Sequence, residues 1–311
     1  PNYALEKYVK VLLQNSFTIV IIEQRMVDGS KKPERSVTRI LSPGTDIEHA
    51  PTFHSNYLVS LYVDIVQPLH RSKKVLYCGM AFIDVTTGLS KYSEFHVPYS
   101  KVAFAMSQIS EKLHSIHPSE IIWTSPHSSK DSIIKTHTTD YAMIERLLKT
   151  QPCLVHRVSS LENMPIQEHL FNSVYPHRGT LSVTEFLGLS RHTHARNAFA
   201  QLLQFVETHH AIALQKLPKP TFESYNDQCV LASSTLDQLQ IFSKDKSHTR
   251  PSLLHIVNKC STSMGKRCLF DRLTHPIFDI DTLHERYQGI QDMLKPLQDV
   301  EGSNSPTSIP T

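Results

Sequence analysis

The run SLLHIVNKCSTSMGKRCLFDRLTHPIFDIDTLHERYQGIQDML, residues 252–294, decides how the chain is read. Its apolar residues return every three or four positions, the period of a helix with one covered face. Leu253, Leu254, Ile256 and Val257 form a first short stripe. Ser261 or Thr262 is placed to cap a second helix, because a side-chain oxygen there satisfies a free amide of the first turn. Leu269, Phe270 and Leu273 carry that helix's apolar face, and Pro276 ends it by denying it an amide donor. Asp279 or Asp281 then caps a third helix, whose apolar face is Leu283, Tyr287, Ile290 and Leu294. Gly265 falls inside the second helix, where glycine costs ~1 kcal/mol relative to alanine. Close helix packing or a bend would each explain it.

Met264-Gly265-Lys266-Arg267 is a decoy for a phosphate-binding loop. Such a loop needs Gly, four residues, then Gly-Lys-Ser/Thr between a strand and a helix. Here the first glycine position is Cys260 and the last position is Arg267, inside a helical pattern.

The same stretch closely resembles the segment of MutS-type DNA mismatch-repair proteins that joins the lever helices to the central core. The residues that carry the likeness are Leu253, Leu254, Ser261, Thr262, Met264, Gly265, Arg267, Leu269, Leu273, Pro276, Asp279 and Arg286. Two more segments agree, in the family's order. Near the N-terminus, a helix from Tyr3 to Gln14 with Leu5, Tyr8, Val9 and Leu12 on one face precedes Phe17–Ile22, FTIVII, which suits a buried strand closed by Glu23-Gln24. This unit resembles the end of the family's mismatch-recognition domain. The Phe-x-Glu motif that stacks on a mismatched base precedes that point in the family and is missing here. Val37, Arg39 and Leu41 alternate into the turn Ser42-Pro43-Gly44-Thr45, similar to the family's strand into Pro-Gly-Thr.

Residues 56–150 read as an α/β domain. Strands are expected at Tyr57–Val66, Val75–Val85, Leu89–Val97 (with Leu89, Tyr92 and Phe95 alternating), Glu120–Thr124 and Cys153–Val158. Helices are expected at Lys101–His114 and Tyr141–Lys149. The order β-β-β-α-β-α-β fits the ribonuclease H-like connector domain of the family. The run Gly79-Met80-Ala81-Phe82-Ile83-Asp84-Val85-Thr86-Thr87-Gly88 resembles its Gly-x-Ala-x-x-Asp-x-(Ser/Thr)-Thr-Gly. Beyond Ser160 the pattern turns helical: Leu161–Tyr175, Val183–Leu189, a long Arg191–Gln215 and Ser234–Phe242, with Cys229–Ala232 extended.

Size and composition fit this outline. A chain of 311 residues, 40% apolar, holds about two domains. The net charge of +3 is a weak sign of a nucleic-acid partner, and protonating the 19 histidines would strengthen attraction to any polyanion. The five cysteines (Cys78, Cys153, Cys229, Cys260, Cys268) lack metal-knuckle spacing and read as reduced thiols of an intracellular protein, with Cys260 and Cys268 able to share a helix face. No apolar run has membrane-spanning length. The chain starts at Pro1, without Met, inside an amphipathic pattern, and reads as a fragment of a longer protein.

Catalytic candidates are few. A ribonuclease H-like nuclease would need Asp84 plus carboxylates such as Glu94, Glu120, Asp131 and Asp140 around two divalent ions. The plainer expectation is that Asp84 caps the Thr86-Thr87-Gly88 turn. His192 and His194 point to different helix faces, and His209-His210 is no better a metal pair. Lys31-Lys32 with Arg35 and Arg39 is a small basic cluster, read first as a solvated linker. Phe17, Tyr57, Phe82, Tyr92, Met143, Leu147 and Leu148 are expected in cores.

The resemblance therefore implies an α/β plus all-α chain. Its expected parts are 1–40 (end of the mismatch domain and linker), 41–158 (connector), 159–295 (start of the lever and core helices) and 296–311 (a disordered tail). Glu23, Gln24, Pro43, Gly44, Thr45, Gly79, Asp84, Thr87, Gly88, Thr262, Met264, Gly265, Arg267, Pro276, Asp279 and Arg286 are implied to be structural positions of the family's motifs. No catalytic, metal or ATP-binding residue is expected in the chain, and no DNA-contacting residue is identified. For the full-length protein the resemblance implies ATP and Mg, mismatched duplex DNA, a dimer and a MutL-type partner. The alternatives are a metal-dependent nuclease on the α/β domain, or a degenerate scaffold module.

Overall fold

The computed structural model describes residues 4–25, 34–46, 56–67, 73–126, 138–176, 179–215, 217–223, 233–241 and 252–302. Helix α1 (Leu5–Gln14) packs on an antiparallel pair, β1 (Ile19–Arg25) and β2 (Glu34–Leu41), with a register shift between Ile21 and Ile22. A two-stranded sheet has one face to cover, and α1 covers it with Val9 and Leu13 against Leu41, Ile19 and Ile21. This corrects three expectations. The covered residues of α1 are Val9 and Leu13, while Leu5, Tyr8 and Leu12 are exposed. Only the Ile19–Ile22 part of FTIVII is in a strand, and Val20 and Ile22 lie on its open face. Phe17 is exposed before the strand begins.

Next come β3 (Tyr57–Val66), β4 (Val75–Asp84), β5 (Ser90–Pro98), α2 (Val102–Ile116), β6 (Glu120–Thr124), α3 (Thr138–Lys149) and β7 (Leu154–Arg157), in the expected order of strands and helices. The sheet order is β7-β6-β3-β4-β5-β8, where β8 is Thr221–Phe222. Strands β3, β4 and β5 form an antiparallel meander. Strands β6 and β7 run parallel to β3 and β6, so the connections through α2 and α3 are crossovers. Leu89 is exposed, because β5 starts one residue later, at Ser90.

Both faces of the sheet are buried, which is why β3 and β4 read as nearly unbroken apolar runs. Alternate residues serve opposite cores. Leu61, Val63, Leu76, Met80 and Phe82 meet Ile109 and Leu113 of α2 and Ile144 and Leu148 of α3. On α3 the packed residues are Tyr141, Ile144 and Leu148, with Leu147 partly buried; Met143 projects to solvent. Tyr57 packs at the edge of this core, its ring edge-on to Phe82.

The second face is covered by α4 (Met164–Val174), the one-turn α5 (Val183–Phe186) and α6 (Thr193–His210). Leu58, Tyr62, Ala81, Ile83 and Tyr92 of the sheet share one core with Phe171, Phe199, Leu202 and Val206 of these helices. The boundary expected between residues 158 and 159 thus runs through packed side chains, and α4–α6 are the sheet's second helical layer. Helical periodicity marks where these helices are, but not what they cover.

The last part holds α7 (Ser233–Gln238), α8 (Leu253–Val257), α9 (Ser263–Thr274) and α10 (Ile280–Gly302). The three helices expected in residues 252–294 are present, and Leu236, Phe270, Ile241 and Leu254 form a small core among α7, α8 and α9. The apolar side of α10 is largely open, with Tyr287, Ile290, Met293 and Leu294 exposed. Helix α10 runs through Gly302, past the start of the tail expected from residue 296; residues 303–311 lie outside those described. Lys31, Lys32, Asp131 and Cys229, the side chain of Asp140 and the extended run expected at 229–232 lie outside them as well. Among the described residues, no helix is long and apolar enough to cross a membrane.

Candidate functional site: three junctions around the sheet

Many of the motif residues lie at joints between parts of the fold. The first joint is the turn after β2. Glu120, at the start of β6 and fully buried, accepts a hydrogen bond from the Ser42 hydroxyl at 2.7 Å and from the Gly44 amide at 3.1 Å, both on Oε2. Its Oε1 lies 3.3 Å from His156 Nε2 on β7. Asn56 Nδ2 donates to the carbonyls of Pro43 and Asp46, both at 2.9 Å. A Cβ on Gly44 would come within 2.9 Å of Glu120 Oε2, so the turn requires glycine for close approach. Thr45 Oγ1 sits 2.9 Å from Ser42 Oγ inside the turn.

The second joint seats α6 on β4. Tyr77, Gly79, Ala81 and Ile83 point to the same side of that strand by alternation. Gly79 is where the helix start touches the strand: an added Cβ would lie 2.1 Å from the carbonyl carbon of His194. Glu94, beside Gly79 in register on β5, accepts from the amides of His194 (2.8 Å) and Ala195 (2.9 Å) through Oε2. A carboxylate from another strand therefore caps α6, at the positive end of its dipole. Burial pushes the Glu94 carboxyl up, but the His194 side chain first, then the Ala195 amide, outweigh it and leave it below the ordinary value.

His194 stacks on Tyr77 with 4.6 Å between ring centres. Its two nitrogens lie 3.8 Å from Asp64 Oδ2 and from Glu94 Oε1, ion-pair distances rather than hydrogen bonds. Burial lowers its pKa, but the two carboxylates raise it further, to about 9. A folded-state pKa above the unfolded value of about 6.5 stabilises most below pH 6.5, and the gain is lost as pH rises through 9. Unfolding free energies from urea titrations between pH 6 and 10 are expected to fall by roughly 1–2 kcal/mol more for the wild type than for His194→Gln. Equal slopes for the two proteins would remove His194 from this role.

The third joint is the series α8–α10. Ser252 caps α8 on the His255 amide, and Thr262, not Ser261, caps α9 on the Gly265 amide at 3.1 Å. A Cβ at Gly265 would meet Cys260 Cβ and Thr262 Oγ1, each at 3.2 Å, so close approach of the residues just before α9 accounts for the glycine. Cys260 lies before α9, so it shares no helix face with the exposed Cys268. Asp279, not Asp281, caps α10 on the Thr282 amide at 3.0 Å. Pro276 stands just past the end of α9, and Arg286 of α10 acts on Asp271 of α9 electrostatically. Met264 is exposed, and Arg267 Nε is buried without a hydrogen-bond partner.

The catalytic candidates come apart. Asp84 Oδ1 accepts from the Thr86 amide (2.9 Å) and hydroxyl (2.6 Å), while the Asp84 carbonyl receives the amides of Thr87 and Gly88. Gly88 has φ +75°, a left-handed position that suits glycine. Asp84, Glu94 and Glu120 thus serve three separate hydrogen-bond sets. No group of three His, Cys, Asp or Glu that could hold a metal occurs among the described residues. Asp84→Asn is expected to cost only about 1 kcal/mol, read by urea unfolding, because the turn loses charge but keeps a side-chain acceptor.

Glu23 and Gln24 are exposed on β1, opposite Ser36 and Arg35. Arg39 pairs with Glu6 at 3.6 Å. A cavity of about 370 Å³ lies between β2 and the end of α6, lined by Arg39, Leu41, Asp46, Glu207, His209 and Ile212. None of the other motif residues lines it. Phe205-Val206-Glu207 spells Phe-x-Glu, yet it lies within α6, with Val206 buried and the Phe205 ring stacked on His209 at 4.0 Å. Residues 264–267 do not fit a nucleotide phosphate, since they sit inside α9 and the Gly265 amide is committed to Thr262.

Two family models match the chain: "MutS domain I" over residues 1–50 and "MutS domain III" over residues 234–305. A putative DNA mismatch repair protein, mutS homolog L359, of Acanthamoeba polyphaga mimivirus is 23% identical over 315 residues, covering 94% of this chain and 28% of that protein. DNA mismatch repair protein MutS of Dehalococcoides mccartyi (strain CBDB1) is 26% identical over 305 residues, covering 93% and 30%. The chain therefore spans less than a third of the length of these curated relatives. Among solved structures, a T. thermophilus RuvC in complex with Holliday junction substrate aligns with 49% of this chain and 96% of its own at 13% identity; its TM-score of 0.31 carries no argument.

Proposed function

This chain belongs to the MutS family of DNA mismatch-repair proteins, and from that premise we propose that it supplies the connector and the first lever and core helices of a protein that binds mismatched duplex DNA in an ATP-dependent manner. The observation that carries this reading is order along the chain. A domain I match comes first and a domain III match last, with the α/β unit between them. The sheet supports a ribonuclease H-like connector: an antiparallel meander of three strands, extended on the β3 side by two parallel strands through helical crossovers. We draw the connector as residues 41–223, because α4–α6 complete its second core, and the lever and core helices as beginning near residue 233.

In this reading the chain's own residues position and transmit. Glu120 ties the turn after β2 to the sheet, Glu94 and Gly79 seat α6, and Thr262 and Asp279 set the starts of α9 and α10. ATP and Mg, a dimeric state, a MutL-type partner and an intracellular location belong to the full-length protein. No residue here is assigned to hold nucleotide, and a nuclease on the α/β unit lacks a gathered carboxylate site among the described residues.

The test is a comparison of the full-length product with the 311-residue chain. Fluorescence anisotropy with a G·T heteroduplex and its matched homoduplex is expected to show mismatch preference and ATP response for the former only. ATP turnover by the 311-residue chain alone, or equal binding of both duplexes by the full-length protein, would sink the reading.

A further inference from the structure

Ser115 Oγ on α2 lies 2.6 Å from His275 Nε2, and His275 Nδ1 lies 3.1 Å from Asp271 Oδ1 on α9. This is the spacing of a serine–histidine–aspartate relay. Its surroundings argue against a nucleophile. Ser115 is buried in the last turn of α2, where the chain presents carbonyls and His117 turns left-handed to return its amide to Leu113. α9 also ends here, at Thr274. An oxyanion needs amide donors, and helix C-termini bring the negative end of the dipole instead. The adjoining cavity, lined by Lys91, Lys112, Glu223, Asp271 and His275 among others, measures about 20 Å³, enough for one water and no substrate.

The contact is placed across a seam. Among the described residues, the small core of α7, α8 and α9 is separate from both sheet cores. At the seam the α/β unit offers Lys112 paired with Glu223, and Lys91 3.4 Å from the same carboxylate. The arm offers Asp271, which feels Lys91 and Lys112 across the seam and Arg286 from α10. Burial pushes the Asp271 carboxyl up, but His275 first, then Lys91 and Arg286, hold it below the ordinary carboxylate value.

We propose that Ser115–His275–Asp271, with Lys91 and Lys112 facing Asp271, is a releasable latch that holds the helical arm α7–α10 against α2. Tyr57, Phe82 and Ile116 also line the cavity at this seam, but the contacts that cross it at His275 and Asp271 are polar and exchange readily with water, because each bond is worth little net of hydration. Its charged part weakens with salt. An apolar joint would do neither. The inference stands on this seam alone and does not depend on the family reading.

Small-angle scattering of the 311-residue chain from about 0.05 to about 1 M salt tests it without any substitution. The radius of gyration of the wild type is expected to rise with salt. Ser115→Ala, His275→Ala and Asp271→Asn should each shift the closed-to-open ratio about tenfold toward open at low salt, at unchanged far-UV helicity. Ser115→Ala combined with His275→Ala should add nothing to either alone. A wild-type curve that is flat in salt and superimposable on the variants overturns the latch. So does labelling of Ser115 by a fluorophosphonate, which would make the relay catalytic.

Discussion

Gly79→Val is expected to unseat α6 and lower the stability of the chain by about 4 kcal/mol, a large share of the roughly 5–15 kcal/mol that holds a domain. The added Cβ would lie 2.1 Å from the His194 carbonyl carbon and 2.4 Å from the Ala195 nitrogen. Both are backbone atoms, which no rotamer change can move. The helix start must therefore lift by an ångström or more. Overpacking alone costs about 1–3 kcal/mol. Lifting also breaks the two amide bonds to Glu94, which are charge-assisted and worth about 1.5–3 kcal/mol each before water replaces them. Urea unfolding followed by far-UV circular dichroism reads the loss. Gly289→Ala is the control, because an added carbon there meets nothing within 4 Å and α10 gains helix propensity. A midpoint for Gly79→Val equal to that of the control would mean that α6 does not rest on β4 as described.

Gly79 also marks the limit of what the chain reveals by itself. The Gly-x-Ala spacing was legible as a motif, but its cause is a helix start 115 positions further on, and no local period reports such a contact. The helices of 252–294 were legible because caps and apolar spacing are local: Thr262, Pro276 and Asp279 act within four residues. The strands were legible for the same reason. The side that each residue faces was not always so. Phe17, Tyr8 and Met143 are as apolar as their covered neighbours, and only the packed partner decides which are covered. α4–α6 read as the start of a separate helical domain because helical period says nothing about whether the partner is a sheet or another helix. Glu94 and Glu120 read as candidate metal ligands, since a strand carboxylate, whether mid-strand like Glu94 or at a strand start like Glu120, looks alike whether it meets an ion or a backbone amide. The structure gives both of them amides.

Removing Glu120 is expected to open the other end of the same unit. Glu120→Ala leaves the Gly44 amide buried without its acceptor, leaves the Ser42 hydroxyl only Thr45 Oγ1, and removes the Oε1 partner of His156. Each orphaned group costs about 1–3 kcal/mol, so the turn should lose roughly 3 kcal/mol in all. The loss falls on the segment that links β2 to β3, because both donors belong to the turn at 42–45 while the acceptor belongs to β6. Hydrogen exchange by mass spectrometry on peptides spanning 42–46 is the direct reading. The Gly44 amide should exchange at least about tenfold faster than in the wild type, while amides of β4 in the sheet centre change less. Glu120→Gln should fall between the two, because the amide oxygen still accepts from Gly44 but without charge. His156→Gln should leave the Gly44 rate nearly unchanged, since it touches only the other carboxylate oxygen. If Glu120→Ala and His156→Gln give the same exchange at Gly44, then Glu120 is not what holds the turn. The Pro-Gly-Thr motif would then owe its shape to Asn56 and to the Ser42–Thr45 pair alone.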